Sequence, residues 1–62
     1  MNGYYAQLTK ILKENGFSYL RPGKGSHEIW SKGSVALTVP FNCASRHTAN
    51  AILREARINH KF

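Results

Sequence analysis

The spacing of apolar residues changes twice along this chain, and each change narrows what it can fold into. Tyr4, Leu8 and Ile11 recur at helical spacing with Leu12 beside them, while Lys10, Lys13 and Glu14 fall on the other side. That pattern makes an amphipathic helix. Asn15-Gly16 ends it, since glycine suits the left-handed position that follows a helix, and Asn2 is a candidate N-cap. From Phe17 the period falls to two. Phe17 and Tyr19 alternate with Ser18 in a first strand that ends near Arg21, and His27 to Trp30 forms a second. Val35, Leu37 and Val39 alternate with Ala36 and Thr38 in a third, which Pro40 stops because proline cannot donate to the ladder. Pro22-Gly23-Lys24-Gly25 reads as a turn or loop, and Lys32-Gly33 as a hairpin turn. After a loop from Phe41 to Ala44, Ser45 can cap a second helix by accepting from the backbone N–H near Thr48. Ala49, Ile52, Leu53 and Ala56 then restore the helical stripe. The order predicts an α+β fold, α-β-β-β-α. A three-stranded antiparallel sheet carries two helices on one face and leaves the other open to solvent or a partner.

A chain of 62 residues reads as a single domain, 1–62. At this size folding buries only about 60% of the unfolded surface, so most interior positions serve packing. A large substrate cavity does not fit; an active site would sit on an exposed surface and take a substrate that brings its own bulk. The charge points to the kind of substrate. Nine Lys and Arg against three Asp and Glu give a net charge of +6. Such an excess suits RNA, DNA, acidic lipid or an acidic protein, although a basic surface also serves solubility alone. The cations are scattered, which separates the chain from one with a disordered basic tail. Cys43 is the only cysteine, which excludes an intramolecular disulfide, and no stretch reaches the ~20 apolar residues of a membrane span. Gln7, Thr9 and Lys10 interrupt any signal-peptide pattern, so the expected location is the cytoplasm.

Chemistry concentrates where a flexible loop enters the second strand, at Lys24-Gly25-Ser26-His27. Gly25 lets the backbone approach a bulky anion, Lys24 adds charge, Ser26 adds a hydroxyl donor, and turn amides can form an anion nest. His27 can take and return protons near neutral pH. Strand alternation puts His27 and Ile29 on one face, with Glu28 and Trp30 on the other, so Glu28 is poorly placed to orient the imidazole. The same spacing also describes an ordinary surface histidine in a turn. Elsewhere the candidates are weaker. Cys43 and His47 are spaced C-x₃-H without a second pair to complete a zinc site, so no metal and no cofactor are expected. His47 suits the first turn of the second helix, and His60 a solvated tail. Trp30 serves either base stacking or the core. Ser26 has no triad around it.

Four runs together resemble one family, the HicA-type mRNA-interferase toxins. Leu12-Lys13-Glu14-Asn15-Gly16-Phe17 ends a first helix as in that family, and Lys24-Gly25-Ser26-His27-Glu28-Ile29-Trp30 is similar to its G-S-H signature followed by an aromatic. Thr38-Val39-Pro40 resembles its third-strand ending, and Ile52-Leu53-Arg54-Glu55-Ala56 its last helix. The resemblance implies a double-stranded-RNA-binding-domain-like fold, endoribonuclease activity on mRNA with His27 as the catalytic residue, and a HicB-type antitoxin protein that covers the site. Two departures stand out: Arg57 stands where many members carry glycine, and Phe41, Asn42 and Cys43 stand where many carry basic or histidine residues. The expected activity is metal-independent cleavage of single-stranded RNA. Lys24, Gly25 and Ser26 would hold the phosphate, with further backbone contacts from among Lys10, Lys13, Arg46, Arg54 and Arg57. The rival is a non-catalytic RNA-binding module of the same fold.

Overall fold

The computed structural model describes residues 3–62. The elements run α1 (Tyr5–Glu14), β1 (Ser18–Pro22), β2 (His27–Lys32), β3 (Val35–Pro40) and α2 (Arg46–Glu55). The expected α-β-β-β-α order is therefore the observed one. The sheet order is β1-β2-β3 with both pairs antiparallel, as short connections between consecutive strands require.

Both helices lay their apolar stripes on the same face of the sheet. Leu8 and Leu12 of α1 meet Ala49, Ile52 and Leu53 of α2 over Trp30, Leu37 and Val39, and Phe17 and Cys43 close the cluster at its margins. Leu8, Leu12, Val39 and Leu53 are completely enclosed. Each such side chain contributes roughly 1.5–3 kcal/mol relative to exposure, and the nearly buried Trp30, Leu37, Phe17 and Ile52 add to the same core. Thr9 is buried among them and bonds its hydroxyl to the Tyr5 carbonyl at 2.9 Å, a satisfied polar group inside a helix.

Two of the helix ends follow their sequence signals. Ser45 Oγ accepts from the Thr48 amide at 3.4 Å, which is the expected cap of α2. At α1 the N-cap position belongs to Tyr4, whose amide instead donates to the Cys43 carbonyl at 2.6 Å. Asn2, the expected cap, lies outside the described residues. Both helices close in the same Schellman arrangement. Phe17 N–H reaches the Leu12 carbonyl and Gly16 N–H that of Lys13, at 2.9 and 3.1 Å. Ile58 N–H reaches Leu53 and Arg57 N–H reaches Arg54, at 2.9 and 3.0 Å. That arrangement needs a left-handed residue after the helix. Gly16 supplies it at φ +92, and Arg57 at φ +60 despite its side chain.

β1 differs most from the sequence expectation. It starts one residue after Phe17, every residue in it is exposed, and a bulge falls between Tyr19 and Arg21. Among the described residues no helix is long and apolar enough to cross a membrane.

Candidate functional site

His27 opens β2 from a tight turn. Its amide donates to the Lys24 carbonyl at 3.1 Å, closing the four residues Lys24-Gly25-Ser26-His27. Gly25 takes φ +64 at the second position while Ser26 stays out of the left-handed region, the signature of a type II′ turn. Only glycine enters that position without steric cost, which explains the G-S-H order locally. The His27 carbonyl accepts from Gly23 N–H at 2.8 Å, and the Ser26 carbonyl accepts from Phe41 N–H at 2.8 Å. The backbone of the turn is thus tied to both neighbouring segments. Lys24, Gly25, Ser26 and His27 are all exposed.

The register separates the faces of β2. Trp30 lies opposite Leu37 and Glu28 opposite Val39, both pairs toward the helices, while His27 lies opposite Pro40 and Ile29 opposite Thr38 on the open face. Trp30 is 3% exposed, which assigns it to the core and takes it out of contention for stacking on a base. Glu28 points inward and serves architecture. Its Oε1 accepts from the Tyr5 hydroxyl at 2.7 Å and from Trp30 Nε1 at 3.1 Å. Burial, then the hydrogen bond and charge of Glu28, push the Tyr5 hydroxyl up from 10.0 to about 12, which keeps it a donor. The Tyr5 ring in turn packs against Phe41, with centroids 4.9 Å apart at a 57° tilt. Tyr5, Glu28 and Phe41 therefore form a run of contacts that reaches the turn through the Phe41 amide, and no local signal could pair residues 23 positions apart in the chain.

One cation escaped the sequence reading. With strict alternation Arg21 would share the inward face of Tyr19. The bulge at Leu20 instead sets Arg21 opposite Ile29, on the face that carries His27. Re-aiming a side chain is a common consequence of such a bulge.

The cations expected to contact RNA do not gather in one place. Lys24 adjoins His27. Lys10 lines a groove with Gln7, Ile11, His60 and Phe62 on the helical side. Lys13 sets its ammonium 5.8 Å from the centre of the Trp30 ring, near the opposite end of α1 from Tyr5. Arg46 and Arg54 line a cleft of about 480 Å³ between α2 and the C-terminal segment, with His47, Asn50 and Lys61. Arg57 is exposed just beyond α2.

The Cys43–His47 spacing makes no centre. Cys43 is 2% exposed, its thiol faces the Ser45 carbonyl at 3.9 Å, and burial pushes it up from its ordinary 9.0 while that contact opposes the shift. His47 is exposed on α2. Among the described residues no group of three His, Cys, Asp or Glu comes together to hold a metal ion.

No curated protein and no solved structure matches the chain. A family model does: that of the HicA toxin of bacterial toxin-antitoxin systems matches residues 5–58, from the first residue of α1 to the Ile58 that closes the α2 cap. With nearly the whole chain covered, and with the G-S-H turn set at the head of β2, the chain belongs to the HicA toxin family of bacterial toxin-antitoxin systems.

Proposed function

We propose that this toxin is an endoribonuclease that cleaves mRNA without a metal ion, with His27 as its catalytic residue and the whole chain as one catalytic domain. The observation that carries the proposal is the placement of His27: a rigid backbone and an exposed side chain, directly after a cationic glycine turn and opposite a proline. In this reading a phosphodiester rests against the turn, held by Gly25 and Ser26, with Lys24 and Arg21 offsetting its charge. The ribose 2′-oxygen attacks phosphorus, its proton passes to a base, and the 5′-oxygen of the next nucleotide leaves with a proton. The products are a 2′,3′-cyclic phosphate and a free 5′-hydroxyl. His27 serves as the base at the first position or as the acid at the second. Lys10, Lys13, Arg46, Arg54 and Arg57 contribute phosphate contacts along a longer RNA, and the cytoplasm supplies the substrate.

An antitoxin of the HicB type would cover the turn and block access to His27. A second reading, RNA binding without cleavage, draws on Glu28, the carboxylate nearest to His27 in sequence, which is committed to Tyr5 and Trp30 on the other face. One experiment decides between them. Purified protein is incubated with labelled single-stranded RNA in the presence of a chelator, and wild type is compared with His27→Ala. A positioned proton-transfer group is worth roughly 10²–10⁴ in rate, so the variant should lose cleavage by that factor while RNA affinity holds. Induced expression should arrest growth for wild type alone. Wild-type protein that binds RNA and leaves it intact would establish the binding module instead.

A further inference from the structure

Beside the turn lies an aromatic pair that the proposed chemistry leaves unused. Phe41 is 54% exposed, which leaves much of its ring open to a partner. Three contacts fix where it stands. Its amide donates to the Ser26 carbonyl at 2.8 Å, its chain neighbour Pro40 lies opposite His27, and its ring leans on Tyr5 at 4.9 Å between centroids. Tyr5 is itself held from behind by its 2.7 Å hydrogen bond to Glu28. The pair is therefore a braced surface, tethered by one hydrogen bond to the loop that carries Lys24, Gly25 and Ser26.

We infer that Phe41, backed by Tyr5, is a stacking platform for an unpaired base of the RNA whose phosphate rests on the Lys24-Gly25-Ser26 turn. This subsite deepens the ribonuclease reading and rests on it. Three physical points carry it. An exposed aromatic ring offers a face to any base, and such stacking tolerates sequence while holding the strand. The Phe41 amide is bonded to Ser26 of the cationic turn, so the base that reaches Phe41 belongs to a nucleotide whose backbone is attracted there. The bracing from Glu28 through Tyr5 lowers the ordering that binding demands, which is how a rigid surface gains affinity. A partner protein also finds an exposed phenyl ring attractive, but the adjoining cationic turn and the net charge of +6 favour a polyanion over an apolar protein surface.

The test is a binding cycle that removes the ring and the bases separately. His27→Ala protein, which leaves RNA intact, is titrated with a single-stranded oligouridine and with an abasic ribose-phosphate oligomer of the same length. Phe41→Ala in that background should weaken binding to oligouridine on the order of tenfold. Binding to the abasic oligomer should stay unchanged, as should the salt dependence, because no phosphate contact is lost. Phe41→Trp should retain affinity and add an indole emission that oligouridine quenches and the abasic oligomer does not. In the His27 wild-type background, Phe41→Ala should raise KM and leave kcat near its original value. Equal losses on both oligomers, or none, would overturn the platform. So would a loss confined to antitoxin binding, which would make Phe41 a protein contact. Failure of the His27→Ala protein with Phe41 intact to bind either oligomer would defeat the ribonuclease reading itself, a different result from normal binding that ignores Phe41.

Discussion

His27 and Glu28 are neighbours in one strand and live under opposite rules. The side chain of His27 is exposed on the open face, while its backbone is tied to Lys24 and Gly23. Glu28 turns inward, and its carboxylate joins α1 to the sheet through Tyr5 and Trp30. The contrast teaches how a small domain would build the proposed site on an open sheet face. The packed face supplies rigidity, and the pleat delivers it one residue earlier to the open face, where the proposed substrate would rest. Substitution at the two positions should therefore give opposite results. His27→Ala should cost roughly 10²–10⁴ in cleavage rate and only about ±0.5 kcal/mol in stability, as surface changes do. A thermal melt beside the rate assay checks both halves, and a large drop in Tm would erase the contrast by making His27 structural.

Arg21 sharpens the same comparison from the neighbouring strand. If the bulge at Leu20 places its guanidinium on the phosphate, Arg21→Gln should lower kcat/KM by roughly ten- to hundredfold, the range for one charge-assisted hydrogen bond of about 1.5–3 kcal/mol. Stability should hardly change, because Arg21 is exposed. Deleting Leu20 offers a control: with the bulge residue gone, Tyr19 and Arg21 become consecutive, alternation keeps Arg21 opposite Ile29 on the His27 face, and the rate should hold. A rate unaffected by Arg21→Gln would confine the phosphate to the turn.

Glu28→Ala comes next in size. It leaves the Tyr5 hydroxyl and the Trp30 N–H without their acceptor, at a cost of roughly 1–3 kcal/mol. Glu28→Gln keeps an oxygen at that point and should recover most of the loss. Cleavage per folded molecule should change much less than with His27→Ala. Urea unfolding of the two variants beside their rates would show it. An activity loss as deep as that of His27→Ala, in a protein still folded, would break the division of labour between the faces.

How far the sequence reaches follows the range of each interaction. Helical stripes, the alternation of β2 and β3, the Ser45 cap and the glycine turns are all local, and each appears where the spacing puts it. The turn at His27 was legible for the same reason: its geometry is decided by Gly25 and closed within four residues. What escaped depends on distant partners. The bulge that re-aims Arg21 is a matter of register between strands. The bracing of Tyr5 by Glu28, and the meeting of Tyr5 with Phe41, follow from how α1 lies across the sheet. The choice for Trp30 between core and surface was settled by which face the helices cover. The dispersal of the cations has the same origin, since helical spacing says which face a lysine shares and nothing about the element opposite.

The smallest effect concerns the two helix ends, which share one hydrogen-bonding scheme and differ in one residue. Gly16 meets the left-handed requirement freely at φ +92, whereas Arg57 meets it at φ +60 with a side chain that opposes it. Arg57→Gly should therefore stabilise the domain by roughly 0.5–1 kcal/mol, the relief of strain exceeding the extra freedom that glycine gives the unfolded chain. For a domain of this size that is a rise in Tm of about 2–8 °C. A strained residue kept where glycine is easier motivates a search for its use, and the proposed use here is a phosphate contact. The two readouts separate the cases. If Arg57 binds RNA, Arg57→Gly raises Tm while the salt dependence of binding falls by roughly 0.7, the share of one neutralised phosphate on a single strand. A higher Tm with an unchanged salt slope would remove Arg57 from the interface and leave the strain without a role. An unchanged or lower Tm would show that the cap tolerates arginine as readily as glycine.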